Sequence, residues 1–137
     1  MSQWSQYGIH GKIHDILATV SYPHHFGGRP FITAYQLAIE FAKQYPSEFG
    51  ALNMPIGGAQ GGQRSSLSQY LAKQLSDRIK AGTIADIEGA FLGDLHLREI
   101  TFDRPNGTIT SSLTGSGYPL SIFRLKDVGN NQPVDID

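Results

Sequence analysis

Two segments of the chain open in the same way. TAYQLAIEFAKQYP, from Thr33, and SLSQYLAKQLSDRIKAG, from Ser66, each carry a hydroxyl residue followed three positions later by glutamine, directly ahead of an apolar repeat. That spacing is a capping box, in which the hydroxyl accepts from the backbone N–H at N3 and the glutamine side chain reaches back to the N–H of the cap. Because a helix start otherwise leaves four N–H groups unpaired, the two boxes commit both segments to helix and fix where each begins.

The apolar spacing agrees with the caps. Leu37, Ala38, Phe41, Ala42 and Tyr45 share one face of the first segment, with Glu40, Lys43 and Gln44 opposite, and Pro46 marks its expected end. In the second, Leu67, Leu71, Leu75 and Ile79 recur every fourth residue, and Gly82 stands where a left-handed residue ends a helix. An earlier run, Ile13, Ile16, Leu17 and Val20, has the i, i+3, i+4, i+7 pattern of a further helix that stops near Ser21, ahead of Pro23. Three helices are therefore expected. Residues 1–10 are left as an N-terminal arm and 46–65 as a glycine-rich loop.

Beyond Gly82 the helical period disappears. LHLREITF (Leu95 to Phe102) is rich in strand formers, Asn106-Gly107 is a strong hairpin signal, TITSSL returns, and LSIFRLK (Leu120 to Lys126) supplies a third strand. Leu95 and Leu97 are out of phase with Ile100 and Phe102, so the first strand needs a bulge or an end near Arg98 or Glu99. A short strand at Thr83 to Ile87 could precede these, and the tail 127–137 reads as loosely ordered. The expectation is a single α+β domain over 1–137, three N-terminal helices followed by a C-terminal antiparallel β-meander or hairpin.

That order of elements, from Ile13 to Lys126, resembles a winged-helix DNA-binding domain. The resemblance implies that the third helix enters the major groove and that the hairpin after it forms the wing. One departure is a loop of about twenty residues between the second and third helices, where a helix-turn-helix has three or four.

Composition narrows the function classes. With 137 residues, 39% apolar and 17% charged, the chain suits one folded domain. Its net charge of −1 argues against a uniformly basic nucleic-acid binder, so any such surface must be local. Without cysteine, disulfides and thiolate zinc sites are excluded. The N-terminus lacks a signal-peptide pattern and no stretch approaches a membrane span, so a cytoplasmic chain with no membrane partner is expected.

On the third helix, Gln69, Lys73, Ser76 and Lys80 form a polar stripe opposite the leucines, without a carboxylate of its own, although Asp77 flanks it. Gln63 and Arg64 extend the stripe, and Arg104 stands at the hairpin turn. These seven are the candidate contacts to double-stranded DNA, since such side chains bond bases and phosphates. Gly57 to Gly62 has the G-x-x-x-x-G spacing of a phosphate-binding loop but lacks the Lys-Ser/Thr pair that follows in one. What remains there is an alternative anion or nucleotide site of Gly61, Gly62, Arg64, Ser65 and Ser66 at the helix start. His10 and His14 have the i, i+4 spacing of helical metal ligands, but Gly11 follows the first and no partnering glutamate is present. No metal or cofactor is expected. Asp94, His96 and Glu99 do not converge by strand parity and no G-x-S-x-G elbow occurs, so a non-enzymatic role is expected. Ahead of that anion site, the first alternative to DNA binding is a small protein-binding or inhibitory module that uses Trp4, Tyr7, Tyr22 and Phe26 as aromatic anchors for a partner or a homodimer.

Overall fold

A computed structural model describes residues 2–20, 28–57, 66–112 and 119–126. The elements are α1 (Gln3–Gln6), α2 (Ile9–Ala18), β1 (Ile32–Thr33), α3 (Ala34–Gln44), α4 (Pro46–Leu52), α5 (Leu67–Ala81), β2 (Ile87–Leu92), β3 (Glu99–Arg104), β4 (Gly107–Ser112) and β5 (Leu120–Leu125). The class is α+β, with helices first and antiparallel strands after them.

Both capping boxes form. Thr33 Oγ1 accepts from Gln36 N at 3.1 Å while Gln36 Oε1 accepts from Thr33 N at 2.7 Å, and Ser66 and Gln69 repeat the exchange at 3.2 Å in each direction. Gly82, at φ 82°, ends α5. The helices converge through Ile13, Ile16 and Leu17 of α2, Leu37 and Phe41 of α3, and Leu67, Leu71 and Leu75 of α5, all buried. Burial of each such side chain contributes about 1.5–3 kcal/mol.

The N-terminal arm and the glycine-rich loop both need correction. Residues 3–6 are helical, and Trp4, only 5% exposed, lies against Tyr70 and under the Arg78 guanidinium, 4.8 Å from the ring centroid. Gly8, at φ 59°, turns the chain into α2, which starts at Ile9 and carries both His10 and Gly11 in helical conformation. Pro46 does follow the end of α3, but it also takes the first turn of α4, a position where its missing N–H costs nothing. The rest of the loop, 58–65, and the tail 127–137 lie outside the described residues.

The expected meander is corrected too. Three strands form one antiparallel sheet in the order β1-β5-β2, and among the described residues β3 pairs with β4 alone. Strand β2 escapes sequence reading because IEGAFL neither alternates nor concentrates β-branched residues, and Gly89 lies directly beneath Phe123. The apolar residues of β5 fall on both faces: Phe123 and Leu125 are buried, and Leu120 and Ile122 half-buried. The phase problem resolves by an earlier end, since Leu95 and Leu97 belong to a turn closed by Leu97 N–H to Asp94 O, with His96 at φ 62°, and the strand begins at Glu99. Arg104 and Gly107 are register partners, which makes Pro105 and Asn106 the hairpin turn. Asn106, at φ 87°, takes the positive-φ place after proline that a type II turn demands.

The chain approaches itself closely at Gly57. A Cβ there would stand 2.7 Å from Ser68 Oγ and 2.7 Å from Tyr35 Cε1, whereas one at helical Gly11 would meet nothing within 4 Å. Gly57→Ala is therefore expected to lower stability by about 1–3 kcal/mol through overpacking. Gly11→Ala should raise it by about 0.5–1 kcal/mol through helix propensity. Urea unfolding midpoints of the two variants, shifted in opposite directions, check the pair.

Candidate nucleic-acid interface on helix α5

The leucine face of α5 is committed to the core, so the opposite side must face outward. Gln69, Lys73 and Lys80 are exposed and Ser76 is half-buried. Gln69 spends its side-chain oxygen in the capping box. Lys73 donates to Asp77 at 2.9 Å across one turn, and this hydrogen bond holds the Asp77 carboxyl below its usual range. Because both partners are well exposed, the pair adds little to stability and yields readily to a competing anion. Lys80 has no hydrogen bond or ion pair among the described residues. Arg78 is turned away, bonded to Gln74 Oε1 and stacked on Trp4.

The start of α5 is already satisfied from within. Leu67 N–H donates to Pro55 O at 2.7 Å, Ser68 N–H to Ile56 O at 3.0 Å, Gln69 N–H to Ser66 Oγ and Tyr70 N–H to Ser66 O. The free N–H groups on which the anion site at Ser66 depends are thus taken, and Ser66 itself is buried. Gly61, Gly62, Gln63, Arg64 and Ser65 lie outside the described residues.

Beside the stripe runs an open groove of about 770 Å³. Gln69, Lys73 and Ser76 form its α5 side, and Ser111 and Ser112 of β4 with Pro119 to Ser121 form the other. The β3–β4 hairpin that supplies this second wall does not stand free. Phe102 stacks on Tyr35 of α3 at 5.2 Å and an interplanar angle of 10°, and Ile109 is buried. Arg104 is exposed at the hairpin's tip.

The chain matches no protein-family model, no curated protein and no solved structure at a significant level. Its chemistry must be argued from its own residues.

The two spaced histidines serve one carboxylate. His10 Nε2 lies 2.7 Å from Asp86 Oδ1 and His14 Nδ1 lies 2.6 Å from Oδ2, which clips α2 to the corner between α5 and β2. Burial pushes the Asp86 carboxyl up, but the bonds from His14 and His10 outweigh it and hold it below its ordinary value. Among the described residues no group of three or more His, Asp or Glu side chains is arranged to hold a metal ion. Asp86 was invisible in the sequence as a partner, because it lies 72 positions from His14. The aromatic set also divides: Trp4 is buried, Tyr7 is packed against the core, and Tyr22 and Phe26 lie outside the described residues. Asp94, His96 and Glu99 are all exposed and make no hydrogen bond to one another. No helix among the described residues is long and apolar enough to cross a membrane.

The clip carries a pH signature. With its folded pKa depressed, Asp86 contributes stability that is present above the unfolded value of 3.8 and lost as pH falls through the folded one. Asp86→Asn should cost about 1 kcal/mol at neutral pH, discounted for partial exposure. The gap between variant and wild type should then close below pH 3.8. Thermal midpoints measured from pH 7 to pH 3 check this; equal midpoints at neutral pH would dismiss the clip as a stabilising contact.

Proposed function

We propose that the chain is a winged-helix-like module that binds double-stranded DNA, with α5 as the recognition helix and the β3–β4 hairpin as the wing. The observation that carries this reading is the outward stripe of Gln69, Lys73, Ser76 and Lys80, whose one flanking carboxylate, Asp77, is occupied by Lys73. The sheet supports it: β2 follows α5 and pairs antiparallel with β5, and the connection between these two strands contains the hairpin. The described part of the segment between α3 and α5 supports it as well. Helix α4 packs on α3, and residues 55 and 56 lie under the start of α5, so neither covers the stripe. In this reading Lys73, Lys80 and Arg104 hold phosphates, Gln69 and Ser76 face base edges, and Gln63 and Arg64 extend the contact.

Phosphate contacts release counterions, so three or four of them imply a log–log salt slope of about −3 and a weak, micromolar nonspecific affinity. Fluorescence anisotropy with a labelled duplex at low salt should show binding. Lys73→Ala/Lys80→Ala should flatten the slope by about 2 while the thermal midpoint stays nearly constant. No anisotropy change at about 10 μM protein would end this reading.

A second reading rests on a different surface. Phe91 is 66% exposed and Leu95 80%, and β2 is an edge strand with no neighbour beyond it among the described residues. An exposed apolar edge of this kind fits a protein partner or a second copy of the chain. The anchors are then Phe91 and Leu95, not the buried Trp4. Phe91→Glu should reduce any dimer seen by sedimentation velocity; an unchanged sedimentation profile would remove Phe91 from the interface.

A further inference from the structure

The groove beside α5 has one feature that DNA contact by the helix does not use. Ser111 is only 5% exposed, yet its hydroxyl makes no hydrogen bond among the described residues and it lies on the groove wall. The hydroxyl is not shut off from solvent, so it opens onto the groove and can bond a group held there. Its placement is enforced by the strand: Ser111 has the same parity in β4 as buried Ile109 and pairs in register with Ile100. The side chain therefore belongs to the packed face of the hairpin.

The groove is chemically one-sided. Lys73, Gln69 and Ser76 on α5 stand across from Ser111 and Ser121, and no aspartate or glutamate lines it. Ala72 and Leu120 add apolar surface. Hydroxyl and amide donors together with an ammonium, whose exposed pairing with Asp77 yields to a competing anion, suit a group with several charged acceptor oxygens. The volume of about 770 Å³ falls in the range of small-ligand sites.

We propose that this groove binds a small phosphate ester of about nucleotide size, its phosphate held between Lys73 on the helix and Ser111 on the arm and its organic part against Ala72 and Leu120. The ligand bridges α5 to the β4 and β5 ends. It also occupies Gln69, Lys73 and Ser76, so it competes with any nucleic acid bound on the stripe. The site does not depend on the DNA reading, since Ser111 has no part in that surface.

The test is a ¹H–¹⁵N correlation titration of the full chain with AMP, adenosine and inorganic phosphate at constant ionic strength. AMP should give saturable shifts at the amides of residues 69–76, 111–112 and 120–121, inorganic phosphate weaker ones, and adenosine none. Ser111→Ala and Lys73→Ala should each weaken AMP roughly tenfold, as loss of a charge-assisted partner does. Ser121→Ala stands in should either variant lose its dispersed spectrum. A lack of saturable response to AMP, an equal response to adenosine, or unaltered AMP affinity in Ser111→Ala would overturn the proposal. Because Ser111→Ala leaves the helix stripe intact, loss of AMP binding with duplex binding retained separates this site from the DNA surface.

Discussion

Strand β5 is the element on which both halves of the chain close. All six of its residues pair on one side with β2, which follows α5, and Ile122 and Phe123 pair on the other with β1, which precedes α3. Phe123 sits at the crossing, opposite Ile32 in one neighbour and Gly89 in the other, and is almost fully buried. Without it β1 would be two residues of unpaired backbone, and the inner side of β2 would have no partner. An extra link lies at the end of the strand, where Lys126 N–H donates to Asp86 O, on the residue whose carboxylate receives both histidines. The sheet and α2 are in this way tied at one corner. The β1–β5 pairing spans most of the chain length and so carries a high loop-closure cost.

Local information was enough for α3 and α5, because a capping box, an apolar repeat and a terminal glycine all concern residues within a few positions of one another. It failed wherever the deciding partner was distant. Strand β2 owes its existence to β5 rather than to its own composition, and Gly89 is there because Phe123 needs the space. Proline 46 looked like a terminator, and the same rigidity that ends α3 also starts α4. Trp4 looked like a free aromatic in an arm, yet α1 delivers it to Tyr70 and Arg78 of α5. The leucine phase in LHLREITF was a correct warning, since the strand does start at Glu99.

The candidate site was half legible for the same reason. A helix stripe is a property of period, so Gln69, Lys73, Ser76 and Lys80 could be placed on one face from sequence alone. The wall opposite them comes from β4 and β5, and no spacing rule relates Ser111 to Lys73. Electrostatics sharpened the stripe further. Of the basic residues on α5, Arg78 is spent on Gln74 and Trp4, which leaves Lys73 and Lys80 to meet an anion.

Leu92 and Leu120, the residues at which the chain leaves and re-enters the three-stranded sheet, are register partners. The hairpin between them has a doorway whose two posts already touch, and beyond it a hold on α3 through Phe102 and on the core through Ile109. The register of β2 with β5 therefore does not itself fix how much chain passes through that opening. A different hairpin could be fitted there while β1, β5 and β2 kept their register, provided that it again filled the places of Phe102 against Tyr35 and of buried Ile109.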